Sequence, residues 1–328
     1  MIKYSFIIPV KAINDYIRES IPKVLAIERD DFEIIVYPDA LDGHTYDWAK
    51  TRIIASGPGG PAMKRSLAMR DAAGEFLVFI DDDAYPEKNI LQFLDEAFEN
   101  QEIAAVGGPA ITPISDSFLQ KVSGAVFLSK FSGRFPERYY PIGKKRFVDD
   151  WPSVNLTVRK SIFQKIGGFN SNYWPGEDTK LCLDLINNKN QNKILYDPNI
   201  VVWHHRREGL WRHLKQVAGY GIHRGFFAKA LPKTSLRFRY FIPSFFCLFL
   251  IIGGVASFFH SYFLYAYLLG IVAYLIALVI SFIDIYRCEK SVAISLYALW
   301  YIFLTHLVYG FRFIQGLVFT KKLKSKLR

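Results

Sequence analysis

The sequence predicts an α/β domain on a largely parallel sheet, followed by a set of C-terminal transmembrane helices. Three observations carry that prediction. Short apolar runs alternate with helix-period segments from Ser5 to Gly107. Three acids, Asp81-Asp82-Asp83, leave the end of one of those runs. Three long uncharged segments, 241–259, 262–283 and 291–311, follow one another near the end of the chain. Each is close to the roughly 20 residues that cross a bilayer.

Ser5-Phe-Ile-Ile-Pro-Val10 is a short apolar run ended by Pro9, which marks a central strand whose tip faces a site. Asn14 to Arg29 carries Ile17, Ile21, Val24 and Leu25 at helical spacing. Phe32–Tyr37 reads as a second strand ending at Pro38-Asp39, and Arg52–Ser56 as a third, followed by the loop Gly57–Pro61. A helix over Ala62–Ala73 leads into the strand that carries the acids. A helix Glu87–Asn100 and a strand Ile103–Gly107 come next, then a less regular region through Pro152. Helices Lys160–Ile166 and Asp178–Asn188 flank the turn Gly167-Gly168-Phe169, the run Asn187–Asn192 is a polar loop, and Ile200–His204 is a last strand. Ligands of such sheets sit beyond the carboxyl ends of the strands, where Pro9, Asp39 and Asp81 to Asp83 fall.

With 328 residues, the chain holds one large domain, residues 1–205, and a membrane domain, 241–320. The stretch 206–240 between them reads as a basic interfacial helix and linker, and 321–328 as a basic tail. The net charge of +11 does not point to nucleic acid, because the excess sits at the membrane boundary. Between His205 and Tyr240 there are nine Lys or Arg and one acid, Glu208. Such a stretch binds anionic lipid headgroups. Leu210–Ala230 has Leu210, Trp211, Leu214, Val217 and Ala218 at helical spacing, with a break expected near Gly219–Gly221.

Cys182, Cys247 and Cys288 lack zinc-ligand spacing, which suits a reducing cytoplasm. The N-terminus enters a strand with no signal-peptide run, so a multi-pass protein of the cell membrane with a cytoplasmic catalytic domain is expected. Three full spans would then put the basic tail outside, against the positive-inside tendency.

Acids at the spacing of Asp81 to Asp83 repel one another unless a cation neutralises them, and hard oxygen ligands suit Mg²⁺ or Mn²⁺. A second acidic pair, Glu177-Asp178, follows Trp174-Pro-Gly. Lys64 and Arg65 would pair with diphosphate oxygens, or else lie on an exposed helix face. Trp174 offers a stacking surface for a sugar, Asn155 a contact on the acceptor side, and His205, beside His204, a further metal ligand. His306 and Arg312 stand in or at the edge of the last apolar segment, for an isoprenoid phosphate or for helix–helix hydrogen bonds.

Several of these features form an ordered series. They are the strand ending at Pro9, the basic segment Gly60–Arg70, Gly74-Glu75 before the acid-bearing strand, Pro86 after it, and Gly167-Gly168-Phe169 nine residues before Glu177-Asp178. The series resembles family 2 glycosyltransferases of the GT-A fold. The later motifs Lys215-Gln216, Tyr220-Gly221, Arg224-Gly225 and His306-Leu-Val-Tyr-Gly310 look like members that build exopolysaccharides or lipid-linked glycans.

The resemblance implies that Asp83 ligates a metal held by the donor's diphosphate, that Asp81 contacts ribose or metal, that Asp39 meets the nucleotide base and that Asp178 is the catalytic base. Pro9, Lys64, Arg65 and Asp82 complete the expected donor site, with Glu177 and Trp174 toward the acceptor. Asp39 stands in Tyr37-Pro-Asp-Ala40, where the family usually has two acids followed by Gly-Ser. A Gln/Arg-x-x-Arg-Trp motif of processive members is missing, which favours one sugar per event. The implied activity is an inverting, metal-dependent transfer from a nucleotide sugar to a polyprenyl-linked saccharide. Transfer to polyprenyl phosphate itself and a catalytically inactive membrane scaffold are the alternatives.

Overall fold

The structure, a computed structural model, describes residues 1–133, 135–187 and 192–323. Most of the polar run Asn187–Asn192 and the end of the basic tail fall outside the described residues. The chain divides into two compact units, Met1–Pro113 with Tyr140–His205, and Ile114–Tyr139 with Arg206–Leu323.

The first unit contains, in chain order, β1 (Tyr4–Pro9), α1 (Asp15–Leu25), β2 (Phe32–Tyr37), β3 (Thr51–Ile53), α2 (Pro61–Ser66), α3 (Ala68–Asp71), β4 (Phe76–Phe79), β5 (Ala84–Pro86), α4 (Ile90–Phe98), β6 (Ile103–Gly107) and β7 (Ala110–Ile111). After α5 (Phe118–Ala125), which lies in the second unit, it continues with β8 (Arg146–Val148), β9 (Leu156–Arg159), α6 (Lys160–Lys165), α7 (Glu177–Asn187), β10 (Lys193–Tyr196) and β11 (Val202–His204). The large sheet has the order β3-β2-β1-β4-β9-β6-β10-β8.

Its β3-β2-β1-β4 half is parallel, but β9 runs antiparallel between β4 and β6, and β8 antiparallel to β10. The sheet is therefore mixed rather than largely parallel. Its antiparallel strands are short ones that the apolar-run reading passed over. Every residue of β1 and β2 is buried, as expected for strands covered on both faces. Leu67 separates α2 from α3, so the single helix expected over Ala62–Ala73 is two short ones.

The second unit begins with a segment that sequence reading assigned to the first. Ser117 caps α5 in a reciprocal arrangement with Gln120. Phe118 meets Tyr297 edge-on, and Ser129 Oγ donates to Asp284 at 2.9 Å. Its partners are thus residues far along the chain, which no local pattern reveals.

Helix α8 (Leu210–Ala230) is continuous, without the break expected at Gly219–Gly221. It is followed by α9 (Pro232–Ser235), α10 (Phe238–Leu248), α11 (Gly254–Ala256), α12 (Ser261–Glu289) and α13 (Val292–Ile314). A Cβ on Gly221 would lie 2.8 Å from the Tyr309 carbonyl oxygen, and one on Gly225 2.1 Å from that of Phe313. Backbone packing on α13 therefore requires these glycines and offsets their cost of about 1 kcal/mol each in helix propensity. Three helical stretches, Phe238–Ala256, Ser261–Glu289 and Val292–Phe319, are long and apolar enough to cross a membrane. Helices α10 and α13 run antiparallel, with Ser244 Oγ donating to Gly310 O at 3.0 Å and Cys247 Sγ 3.5 Å from Leu307 O. His306 makes the helix–helix hydrogen bond, Nδ1 lying 3.0 Å from the Tyr274 hydroxyl.

Candidate active site

The acids leave β4 and are followed at once by β5, which pairs antiparallel with β11 so that His204 stands opposite Ala84. The His205 amide donates to Asp83 O at 2.9 Å, which locks this register. His204 Nε2 consequently lies 3.2 Å from Asp83 Oδ1. Donor atoms of Asp81, Asp83 and His204 all fall within 4.8 Å of one another. Two donors bound at about 2.1 Å to one octahedral ion stand about 3 Å apart, so this set fits a divalent cation. An imidazole beside two carboxylates favours a first-row transition ion such as Mn²⁺ over Mg²⁺.

Arg65, on α2, is buried, and joins two parts of the site. One terminal nitrogen pairs with Asp81, and the other lies 3.3 Å from Glu177 Oε1 at the start of α7. Glu177 is also buried, and its second oxygen has no hydrogen-bond partner among the described residues. Burial, followed by the neighbouring charge of Asp178, pushes its carboxyl up to about 7, against the pull of Arg65. Asp178 is the next residue, half-buried, its Oδ1 accepting the Thr179 amide at 2.7 Å. Both acids occupy the first turn of α7, where the helix dipole favours negative charge.

Lys64 is buried too, contrary to an exposed helix face. Its ammonium donates to Val10 O at 2.5 Å and Tyr37 O at 3.3 Å, and pairs with Asp39. An ammonium has three donors, and all are in use within the protein. Lys64 thereby ties Asp39 to the ends of β1 and β2. Pro9, the last residue of β1, is buried in register with Tyr37. Asp82 accepts a hydrogen bond from Asn14 Nδ2 at 2.8 Å, while Asn14 Oδ1 caps α1 by accepting the Ile17 amide. Asn14 went unnoticed in the sequence, where it reads as an ordinary N-cap.

Two expected residues fall elsewhere. His205, expected as the metal ligand, turns its Nε2 to Glu19 at 3.1 Å and packs on Tyr16, so its neighbour His204 takes the place beside the acids. Successive residues of a strand point to opposite faces, and no sequence signal says which of the two faces the site. Asn155 is buried with its amide nitrogen donating to Pro109 O at 2.9 Å and Ile200 O at 2.7 Å, which makes it a clamp between loops rather than an acceptor contact. Trp174 stands half-buried in the loop before α7.

Comparison with known proteins gives a consistent result. The sequence model of the family described as Glycosyl transferase family 2 matches residues 5–167. The pre-mycofactocin glycosyltransferase of Mycobacterium tuberculosis is 26% identical over 162 residues, which cover 49% of this chain and 33% of that protein. The chain therefore matches about a third of that relative's length. A Methanococcus voltae protein, dolichyl N-acetyl-alpha-D-glucosaminyl phosphate 3-beta-D-2,3-diacetamido-2,3-dideoxy-beta-D-glucuronosyltransferase, is 22% identical over 230 residues, covering 66% of this chain and 68% of that one.

Among solved structures, the mannosyltransferase PcManGT of Pyrobaculum calidifontis, in complex with GDP-Man and Mn²⁺, aligns over 96% of this chain and 87% of that one. The TM-score is 0.53 at 16% sequence identity, a likeness that speaks for the fold alone. Taken with the mixed sheet and the acids at the tip of β4, these matches identify residues 5–167 as a glycosyltransferase family 2 domain of GT-A fold, in a chain with three helices long and apolar enough to cross a membrane.

Proposed function

We propose that the chain transfers a sugar, with inversion, from a nucleoside diphosphate donor to a saccharide carried on a membrane lipid. The observation that carries this reading is the Arg65 bridge. A single buried guanidinium touches Asp81, in the cation-holding set, and Glu177, the neighbour of Asp178. A donor held at the first group would therefore present its anomeric carbon toward the second.

In the reaction the acceptor hydroxyl oxygen bonds to the anomeric carbon as the bond to the diphosphate oxygen breaks. Asp178 takes the hydroxyl proton as general base. A divalent ion bound by Asp81, Asp83 and His204 would neutralise the charge that builds on the departing diphosphate. Asp39, held by Lys64, lies where the family places an acid on the nucleotide base. The Mn²⁺ in the Pyrobaculum structure and the dolichyl sugar phosphate in the name of the Methanococcus relative support the ion and the lipid-linked acceptor. The apolar helices and the exposed residues Trp211, Arg212 and Lys215 of α8 support seating on an anionic membrane, with the catalytic unit on the cytoplasmic side.

Asp178→Asn is the test. Transfer should fall by about 10²-fold or more, as for loss of a general base. Affinity for the nucleoside diphosphate with Mn²⁺, measured by calorimetry, should stay near the native value. Equal loss of both would remove Asp178 from the role of base.

A further inference from the structure

The second unit carries an arginine cluster that the transfer chemistry does not use. The rings of Phe135 and Tyr240 lie 6.4 Å apart, and three guanidinium groups converge on them. Arg138 sits 4.5 Å from the Phe135 centroid, Arg239 4.6 Å from Phe135 and 5.3 Å from Tyr240, and Arg224 5.0 Å from Tyr240. Arg312 is adjacent, its Cβ 3.0 Å from where a side chain at Gly221 would begin, one turn before Arg224 on α8. Tyr309, one turn before Arg312 on α13, shares an apolar cluster with Phe135, Tyr240 and Phe313.

Charge and hydrogen bonding both leave this place incomplete. Among the described residues, the other acids of the unit face elsewhere. Asp116 accepts the Arg206 amide, Glu208 the Ser117 hydroxyl and Asp284 the Ser129 hydroxyl, while Glu289 faces Lys121 and Arg206. Glu137 is the acid next to the cluster in the chain, one acid of this unit against four arginines. Arg239 Nε, Arg312 Nε and the Tyr309 hydroxyl are buried with no hydrogen-bond partner among the described residues. Buried donors without acceptors are costly, and three of them beside an excess of positive charge call for an anion rich in acceptor oxygens.

The position defines the rest of the ligand. Arg239 and Tyr240 open the first apolar stretch, and Tyr309 and Arg312 lie near the end of the last. Because α10 and α13 run antiparallel, both sets stand at the same end of the helix pair, where apolar surface begins. We propose that Arg138, Arg224, Arg239, Arg312 and Tyr309 bind the headgroup of a lipid that ends in a phosphate monoester or diphosphate. Guanidinium forks match phosphate oxygens, and a monoester carries close to two negative charges, which answers the cluster better than the single charge of a phosphodiester lipid. The proposal rests on the reading of a lipid-borne acceptor, which gives the tail its purpose: the ligand is the carrier lipid before a saccharide is attached.

The test uses the full chain in a non-ionic detergent, with equilibrium binding of farnesyl phosphate, farnesol and inorganic phosphate as probes. Binding of a nucleoside diphosphate with Mn²⁺ is measured in the same preparations. Farnesyl phosphate should bind at least about tenfold more tightly than farnesol or inorganic phosphate, because charged contacts and the tail act together. The double variant Arg239→Gln/Arg312→Gln should lose about tenfold or more of that affinity, whereas Lys229→Gln, which removes one exposed charge on α8, should not. Should the glutamine pair fail to fold by circular dichroism, Arg239→Lys/Arg312→Lys keeps the charge and removes both Nε donors, and should still bind several-fold more weakly.

Farnesol binding equal to that of farnesyl phosphate, inorganic phosphate binding equally well, or unchanged affinity in the variants would each overturn the proposal. Loss of nucleoside diphosphate binding is the separate signature of a failed transferase reading.

Discussion

Replacing Glu177 by Gln tests the electrostatics of the site through stability rather than turnover. The side chain is only 7% exposed and is held by Arg65 through one oxygen. Its carboxyl titrates near 7 in the folded protein against 4.5 in the unfolded chain. Between those values the folded state keeps a proton that the unfolded state has released, so stability falls as pH rises through that window. Below it both states are protonated and the penalty vanishes, and above it both are ionised and the penalty is complete. The gap corresponds to about 3 kcal/mol at full ionisation.

Gln mimics the protonated acid in shape and charge. In protein stripped of divalent ions with a chelator, Glu177→Gln should therefore match the native chain at pH 4.5 and exceed it at pH 7.5. The excess should be at most about 3 kcal/mol, or about 6–12 °C in melting temperature for a unit of this size. Paired thermal melts from pH 4.5 to 8 read the difference, which includes the change that loss of the Glu177 charge imposes on neighbouring Asp178. A stability difference that does not change with pH would refute the burial argument. A Gln variant less stable at pH 7.5 would mean that the ionised Glu177–Arg65 contact outweighs burial.

Three further outcomes follow from named contacts. His204→Ala should weaken Mn²⁺ binding by about tenfold or more, while His205→Ala, which removes contacts to Glu19 and Tyr16, should leave it intact; isothermal titration with Mn²⁺ distinguishes them. Asn155→Ala would leave the carbonyls of Pro109 and Ile200 without their buried donor, costing about 1–3 kcal/mol for each, with acceptor KM unchanged in whatever enzyme still folds. Gly225→Ala gains about 1 kcal/mol in helix propensity but drives a Cβ to within 2.1 Å of Phe313 O. The net should be a loss of about 1–3 kcal/mol, seen as earlier melting in detergent.

What the sequence conveyed follows from the range of its signals. β1, β2, β4 and β6 are runs of apolar residues bounded by turns, and α7 opens on two acids, so local pattern located them. The mixed order of the sheet depends on β9 inserting between β4 and β6, a long-range pairing that a four-residue strand does not announce. The same limit explains α5, whose Phe118 and following Ser129 find partners near residue 290. The acids at the tip of β4 were legible because like charges grouped after a buried strand need an explanation. The choice between His204 and His205 was not, since it turns on one step of strand register. Lys64 and Arg65 read as diphosphate contacts or as an exposed helix face, and only the fold reveals that both are buried among acids. Glycines in α8 suggested a break by propensity alone, whereas packing on α13 uses their missing side chains.

The burial of those two cations bears on the order of events in the proposed reaction. The site gathers six carboxyl groups, those of Asp39, Asp81, Asp82, Asp83, Glu177 and Asp178, around two permanent cations, Lys64 and Arg65. Even with Glu177 protonated, the sum is strongly negative. A nucleoside diphosphate entering alone would bring further negative charge to that field, and neither Lys64 nor Arg65 is idle to receive it. A divalent cation has no such difficulty, because Asp81, Asp83 and His204 are already within reach of one centre. Binding such an ion would offset two of those charges at the place where the diphosphate is proposed to lie, and would compete with Arg65 for Asp81. As Asp81 turns to the ion, the guanidinium is left closer in charge terms to Glu177, the residue beside the proposed base. Arrival of the cation and the electrostatic setting of α7 are in this way coupled through one arginine. The donor is expected to bind only with, or after, the ion.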